Sequence, residues 1–370
     1  MTTATLLKQC LMALTTLLFA LPHYANSGSA PYPGTAQYTL LQNELARYTE
    51  IAQKGGWPTI KGTRKFYQKD LNDPAVVQLK KRLRATGYYD SDDNSPLFTD
   101  ELVQAVKKAQ KVFGFTPNGV VDAPLLKQLN VPVEKRIQQL EINMQRALEL
   151  PPAGESTRLV ANIPEFKLHV YEGDRHVFDM DIVVGSESNK TVTFNDEMTQ
   201  VVFSPYWNVP PSIVKEEILP AMRKNRNYLR AHRYEQIGTE GGLPVIRQLP
   251  GAGNSLGKVK FLFPNSHNIY FHDTPAKSLF AIRKRTFSHG CIRLAEPQKL
   301  AEYLLRNDAA WTPQKIRQAM DSGKEQFVQL QSPVAVSITY FTAFVDKSGQ
   351  LHFREDVYGH DKPVAGIVKK

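Results

Sequence analysis

The sequence predicts a multidomain α+β protein, in which a helical N-terminal part precedes a mostly antiparallel β domain. Apolar residues recur at helical spacing up to about Leu148. From Ser156 onward, short runs rich in Val, Ile, Phe and Tyr alternate with a period of two residues, as strands do. Pro151 and Pro152 separate the two patterns, and 370 residues suffice for two or more domains.

The N-terminus predicts export. Residues 1–25 contain Lys8 in a short polar start, an apolar run from Cys10 to Leu21 and a small residue, Ala25, at the end. This is the pattern of a cleaved signal peptide. Because the apolar run is short for a membrane span, we prefer cleavage to the alternative of a retained anchor.

The composition favours a soluble globular protein with an anionic neighbour. Charged residues make up 22% of the chain and hydrophobic ones 42%, while the formal net charge is +10. The partners that suit such a charge are nucleic acid, an anionic lipid surface or a cell-wall polymer. Export argues against nucleic acid, and scattered basic residues also occur on any solvated surface.

The helical part divides into three segments. Residues 26–66 contain a helix predicted over Tyr38–Gln53, which stops at two glycines. Residues 67–131 form a small three-helix module, whose first helix follows the capping residue Asp73. Residues 132–155 contain one longer helix, which we interpret as a spacer between modules.

The β part is predicted to form a domain over residues 156–300, followed by a C-terminal extension over 301–370 that packs on it. A long insertion at about 211–257 interrupts the strand pattern. Its first half is typical of a helix and its second half, "GTEGGLPVIRQLPGAGN", of a loop. Such an insertion is a candidate lid over a site.

The stretch "FSHGCIRL" contains Cys291, the only cysteine outside the first ten residues. An unpaired cysteine is a liability in an oxidising compartment unless it has a function. It is either a small buried hydrophobe or a nucleophile, and a nucleophilic thiol needs a base or a positive field to lower its pKa. His272 is the better candidate base, because His289 is expected to point away from Cys291 in an extended segment.

The neighbours of this pair have candidate roles. The Asp273 side chain or its backbone carbonyl could hold the second ring nitrogen of His272. The amide groups of Gly290 and Cys291 could form an oxyanion hole. Ser288 is expected to support the turn.

Arg293 has two possible roles, either supporting the same turn or binding a substrate carboxylate. A zinc site made from His267, His272, His289 and Cys291 is the main chemical rival, but the spacing of a zinc motif is absent. A papain-like protease is disfavoured because its histidine follows the cysteine.

Two regions resemble known families. The helix "AVKKAQKVFGF" followed by "NGVVD" is similar to the peptidoglycan-binding domain family, and "IYFHDTPAKSLF" followed by "SHGCIRL" resembles the L,D-transpeptidase catalytic domain family. Within that family the sequence resembles the larger Gram-negative enzymes that have a lid insertion and a peptidoglycan-binding domain. This resemblance implies a β sandwich and a periplasmic location at the cell wall.

The resemblance also implies site roles. Cys291 is expected to be the nucleophile, His272 the base, and the Asp273 carbonyl the group that orients this base. The remaining residues are expected to shape the pocket: His289, Arg293, Tyr270, Tyr206 and Trp207. For the three aromatic residues, ordinary strand core is the alternative.

The implied reaction transfers a peptidoglycan stem peptide through a thioester without a cofactor, and the implied inhibitors are carbapenems. The alternatives are an L,D-carboxypeptidase, in which water replaces the acceptor amine, and an enzyme that attaches a lipoprotein lysine. A non-catalytic wall-binding protein is the third possibility.

Overall fold

The structure is a computed structural model that describes residues 34–152 and 154–362. The predicted signal peptide lies outside the described residues. Among the described residues, none of the helices has both the length and the apolar character needed to cross a bilayer. The helices are α1 (Gly34–Gln53), α2 (Pro74–Ala85), α3 (Asp100–Val112), α4 (Ala123–Leu129), α5 (Val133–Leu148), α6 (Pro211–Ile213), α7 (Leu219–Lys224), α8 (Tyr228–Ala231), α9 (Pro297–Leu304) and α10 (Pro313–Asp321).

The strands comprise two short pairs, a small sheet and one large sheet. They are β1 (Phe66–Tyr67), β2 (Val121–Asp122), β3 (Thr157–Asn162), β4 (Lys167–Glu172), β5 (Arg175–Gly185), β6 (Phe194–Phe203), β7 (Trp207–Asn208), β8 (Tyr234–Glu240), β9 (Leu243–Gln248), β10 (Val259–Leu262), β11 (Phe271–His272), β12 (Thr286–Ser288), β13 (Ile292–Leu294), β14 (Gln326–Thr339), β15 (Ala343–Val345) and β16 (Leu351–Phe353).

The predicted three-helix module consists of α2, α3 and α4, with β1 and β2 paired beside them. Each helix begins at a side-chain cap: Asp73, Thr99 and Asp122 accept hydrogen bonds from backbone N–H groups of the first turn. Such caps satisfy donors that the helix leaves free. The helices bury one shared apolar cluster.

Helix α5 is more than the predicted spacer. Its residues Leu140 and Met144 belong to the same buried cluster as Leu41 and Tyr48 of α1. An amphipathic helix of this length gains most of its stability by packing its apolar face. The prediction missed this because helical periodicity does not identify the partner of a face.

The β domain is a mixed, mostly antiparallel nine-stranded sheet, in the order β12-β5-β13-β11-β10-β6-β14-β3-β4. Strand β4 also pairs with β5, so that the sheet closes on itself. The α+β prediction is confirmed. In place of two separate sheets of a sandwich, eight of the strands form one continuous ring and β12 pairs with β5 outside it. Helices α9 and α10 help to cover the core that the ring encloses.

The predicted C-terminal extension is divided between two cores. Strand β14 lies between β6 and β3, so the sheet is incomplete without residues beyond 300. The hairpin β15–β16 instead packs in the helical part, where Phe353 lies edge-on to Tyr48 with 5.7 Å between ring centroids. The boundary at residue 300 and the packing of the whole extension on the β domain were therefore wrong.

The predicted lid has both helices and strands. Short helices α6, α7 and α8 and a π-helical turn at Val214–Ile218 are followed by the hairpin β8–β9, where a loop was predicted. Gly241 and Gly242 connect the two strands, and both have positive φ (55° and 77°). A Gly-Gly pair is a recognised signal for a tight hairpin, so the sequence contained the information that the loop interpretation overlooked.

Candidate active site

The strands β11 and β13 place the predicted nucleophile and base on one face of the sheet. These strands are parallel neighbours, in which Phe271 pairs with Ile292, and both of these residues are fully buried in the core. Because successive side chains alternate between faces, the flanking residues belong to the opposite face. Four of them line a cleft of about 650 Å³: Tyr270, His272, Cys291 and Arg293.

The His272 ring is buried and oriented by backbone. Its Nδ1 lies 2.5 Å from the carbonyl oxygen of Asp273, so Nδ1 carries the proton and Nε2 is the free acceptor. The Asp273 carboxylate is used elsewhere: it accepts hydrogen bonds from Lys258 N at 2.9 Å and Lys277 Nζ at 2.7 Å. The sequence left open whether the side chain or the backbone carbonyl of Asp273 holds the His272 ring. In the structure, the carbonyl holds it.

Burial and, secondarily, the Arg293 cation lower the pKa of His272 to about 3. The ring is therefore a neutral imidazole at physiological pH. A neutral ring can accept a proton, which is the role predicted for it.

Cys291 is partly exposed, and its thiol donates a hydrogen bond to the carbonyl oxygen of Asn268, 3.5 Å away. Burial raises the pKa of Cys291, and hydrogen bonding from Tyr270 together with the Arg293 charge opposes this effect only in part. The thiol is therefore protonated at rest, contrary to the expected lowered pKa. In the described part of the chain, no hydrogen bond joins the His272 ring to the Cys291 thiol.

The turn before Cys291 is held by two hydroxyl groups. Ser288 Oγ donates to the Cys291 carbonyl at 2.5 Å and accepts from Gly290 N at 3.1 Å, which is the supporting role expected for it. Thr191 Oγ1 donates to the Gly290 carbonyl at 2.7 Å. Gly290 has φ of +116°, a conformation that favours glycine.

The same hydrogen bonds leave only one of the two predicted oxyanion-hole donors available. The Gly290 N–H donates to Ser288 within the turn, so it is not free to bind an oxyanion in the cleft. In the described part of the chain, the Cys291 N–H has no hydrogen-bond partner. It is the predicted donor that remains available.

His289 lies at the rim, half exposed, with Nε2 2.8 Å from Oε1 of Glu217. Glu217 belongs to the π-helical turn of the lid region, so this pair joins the lid to the turn that carries the nucleophile. Glu217 was not predicted as the partner of His289, because the two residues lie far apart in the sequence and no local pattern links them.

The remaining predicted residues also line the cleft. Tyr206 and Trp207 are among its walls, and the Arg247 guanidinium lies over the Tyr206 ring at 4.3 Å. Arg293 Nε is buried without a hydrogen-bond partner, so this atom does not support the turn.

Sequence reasoning missed Lys260, a cleft cation whose pKa burial lowers in spite of Glu325 nearby. The alternation in "VKFL" could have found it, because the flanking Val259 and Phe261 are buried in the core.

The fold and the cleft define an α+β protein with a cysteine–histidine site in a closed β sheet. Residues 156–319 match the family model of the L,D-transpeptidase catalytic domain (YkuD), and residues 72–129 match that of the "Putative peptidoglycan binding domain". Residues 156–319 thus form a domain of the L,D-transpeptidase catalytic family, as the sequence predicted.

A curated relative from Haemophilus influenzae, named "Putative L,D-transpeptidase", is 30% identical over 243 residues, which are 61% of this chain and 49% of the relative. The chain thus matches about half the length of that relative.

Two solved structures are also similar. An L,D-transpeptidase from Xylanimonas cellulosilytica is 14% identical with a TM-score of 0.25, covering 75% of this chain and 98% of that one. L,D-transpeptidase 3 from Mycobacterium tuberculosis, in complex with a faropenem-derived adduct, is 16% identical with a TM-score of 0.26, covering 50% and 61%. Scores this low add nothing to the domain assignment.

Proposed function

We propose that the chain is a cysteine-dependent L,D-transpeptidase that acts on peptidoglycan stem peptides. The observation that carries the proposal is that Cys291 and His272 line the same cleft of an L,D-transpeptidase catalytic domain. The neighbouring domain match, named for peptidoglycan binding, and the net charge of +10 support an anionic wall polymer as the partner.

In the first half-reaction, Cys291 Sγ attacks the carbonyl carbon of the amide between the L-centre of diaminopimelate and D-alanine. Because the resting thiol is protonated and the imidazole neutral, the thiol proton moves to His272 Nε2 during the attack. The Cys291 N–H stabilises the oxyanion. The C–N bond then breaks, the imidazolium protonates the leaving amine, and a thioester remains on Cys291.

In the second half-reaction, an amine from a neighbouring stem attacks the thioester carbonyl. The amine gives a proton to His272, which returns it to the departing sulfur, and a 3-3 crosslink forms. No cofactor takes part. We also propose that the protein is exported to the periplasm, on the basis of residues 1–25.

The test is release of D-alanine from a tetrapeptide stem by the purified full chain and by Cys291→Ala, combined with intact-mass analysis after exposure to meropenem. We expect one covalent adduct in the unmodified chain, none in Cys291→Ala, and D-alanine release only by the former. Since Cys10 is the other cysteine of the sequence, the adduct is mapped by peptide mass analysis, and an adduct in the unmodified chain on any residue other than Cys291 would contradict the assignment.

The acceptor is tested separately on digested sacculi. Crosslinked dimers containing 3-3 bonds are expected; trimmed tripeptides alone would make the enzyme an L,D-carboxypeptidase, and attached lipoprotein would make lysine the acceptor. Binding to sacculi without any meropenem adduct would leave a non-catalytic wall-binding protein.

A further inference from the structure

We propose that Lys260 forms a carboxylate subsite of the cleft, which binds the α-carboxylate of the D-alanine that leaves in the first half-reaction. This role rests on the proposed function and adds recognition of the leaving group to it. In β10, Lys260 lies between Val259 and Phe261, which are both fully buried in the core. Because side chains alternate along a strand, the Lys260 side chain faces the cleft, and it is part of the cleft wall.

The order of the strands places Lys260 beside the base and away from the nucleophile. Strands β13, β11 and β10 are consecutive neighbours in the sheet. Lys260 is the direct antiparallel partner of His272. On its other side, His272 pairs with Arg293 of β13, the strand that Cys291 immediately precedes. Three neighbouring strands thus present the nucleophile, the base and the Lys260 ammonium group to the cleft, in that order.

The covalent geometry of the substrate matches this order. During acylation the carbonyl carbon lies at Cys291 Sγ, and the leaving nitrogen lies near Nε2 of His272, which protonates it. The leaving residue continues from that nitrogen away from Cys291, toward β10. Its carboxylate carbon is about 2.5 Å from the nitrogen, and adjacent strands are about 4.8 Å apart. A lysine on the next strand can therefore reach the carboxylate while the nitrogen stays at the base.

The ammonium group of Lys260 has donor capacity for a ligand. Its side chain is 14% exposed, and Nζ donates one long hydrogen bond, of 3.5 Å, to the Tyr206 carbonyl. Glu325 Oε1 lies 3.7 Å from Nζ and accepts a shorter hydrogen bond, of 3.0 Å, from Tyr206 N. An ammonium group has three N–H donors. Because burial lowers the pKa of Lys260 in spite of Glu325, a ligand carboxylate would stabilise a charge that the fold compensates only in part.

The test compares the binding of two peptides by calorimetry, in a Cys291→Ala background that prevents acylation. The peptides are the tetrapeptide stem and the same stem ending in D-alaninamide, which lacks the carboxylate. We expect the background chain to bind the acid at least about tenfold more tightly, the usual effect of a hydrogen bond to a charged group. In Lys260→Met, the two dissociation constants should agree within about twofold. Lys260→Arg keeps the charge and should restore part of the preference.

The matched control is Lys258→Met, which changes the net charge equally. Lys258 pairs with Asp321 and does not belong to the described lining of the cleft. This variant should keep the preference for the acid, which separates a local subsite from general attraction by the positive chain. Glu325→Gln removes the carboxylate that competes for Lys260 and should increase the preference.

Equal affinity for the two peptides in the background chain would overturn the proposal. An unchanged preference in Lys260→Met, with a melting curve that matches the background, would do the same, as would an equal loss of preference in Lys258→Met. If Lys260→Met does not fold, an unchanged preference in Glu325→Gln decides against the subsite. The proposed reaction fails on a different readout, a missing meropenem adduct at Cys291, so the two failures are distinguishable.

Discussion

The Asp273 carboxylate can be neutralised without touching the atom that orients His272. Asp273→Asn keeps the backbone carbonyl, whose oxygen lies 2.5 Å from His272 Nδ1. The Asn oxygen can still accept the hydrogen bond from Lys258 N. Only the ion pair with Lys277, in which the carboxylate oxygen lies 2.7 Å from Nζ, is lost.

The expected effect of Asp273→Asn is therefore small. The Lys277 side chain is half exposed, and ion pairs of this kind contribute about 0–1 kcal/mol. If the transition state lost about 1 kcal/mol of stabilisation, the upper end of this range, the rate of acylation would fall by about fivefold. If the carboxylate itself oriented the base, an amide replacement should cost about 10⁴, as in serine protease triads.

The assay is the rate of meropenem adduct formation, measured by intact mass. Lys277→Ala is the matched control and should equal Asp273→Asn, because both remove the same ion pair. His272→Gln should lose at least about 100-fold. A loss of a thousandfold or more in Asp273→Asn, with an unchanged melting curve, would refute the reasoning.

Three further outcomes are expected. Ser288→Ala leaves the Cys291 carbonyl without its hydroxyl donor, which should destabilise the fold by about 1–3 kcal/mol and slow acylation; chemical denaturation that matches the parent chain would contradict this. Because the pKa of His272 is lowered to about 3, the ring stays a neutral base below the pH where a free histidine protonates. Acylation should hold from about pH 8 to about pH 5, and an acid limb near pH 6.5 would be the contrary result. Glu217→Gln removes the exposed carboxylate that contacts His289, so the melting temperature should stay within about 2 °C while KM for the tetrapeptide changes; a large loss of stability would contradict this.

Local patterns predicted the elements whose signals are contiguous. Asp73 marked the start of the first helix of the three-helix module, and it accepts the capping hydrogen bond expected of it. The two-residue alternation predicted strands from Ser156 onward, and one of the strands in that region, β11, ends at His272. The hairpin at Gly241 and Gly242 was also predictable. The second half of the insertion was nevertheless interpreted as loop, because β8 is largely exposed and lacks a clear apolar alternation.

The sequence predicted which residues belong to the candidate site, but it predicted fewer of the hydrogen bonds between them. Cys291 and His272 followed from the rarity of the thiol and from the strand before it. The engagement of the Gly290 N–H by Ser288 did not, because an amide in a turn has no sequence signature for its partner. Thr191 and Glu217 were missed for the same reason: each meets the nucleophile turn across a long stretch of chain.

The sequence by itself determined the residue types that can do chemistry, their alternation along strands and the helices that end at glycine. The pairing register between strands, which no local pattern encodes, decided that His272 and Cys291 share a face. Burial, which also arises only on folding, decided that the resting thiol and imidazole are both neutral. The physical reason is that register and desolvation depend on contacts between segments far apart in the chain, whereas periodicity records only neighbours.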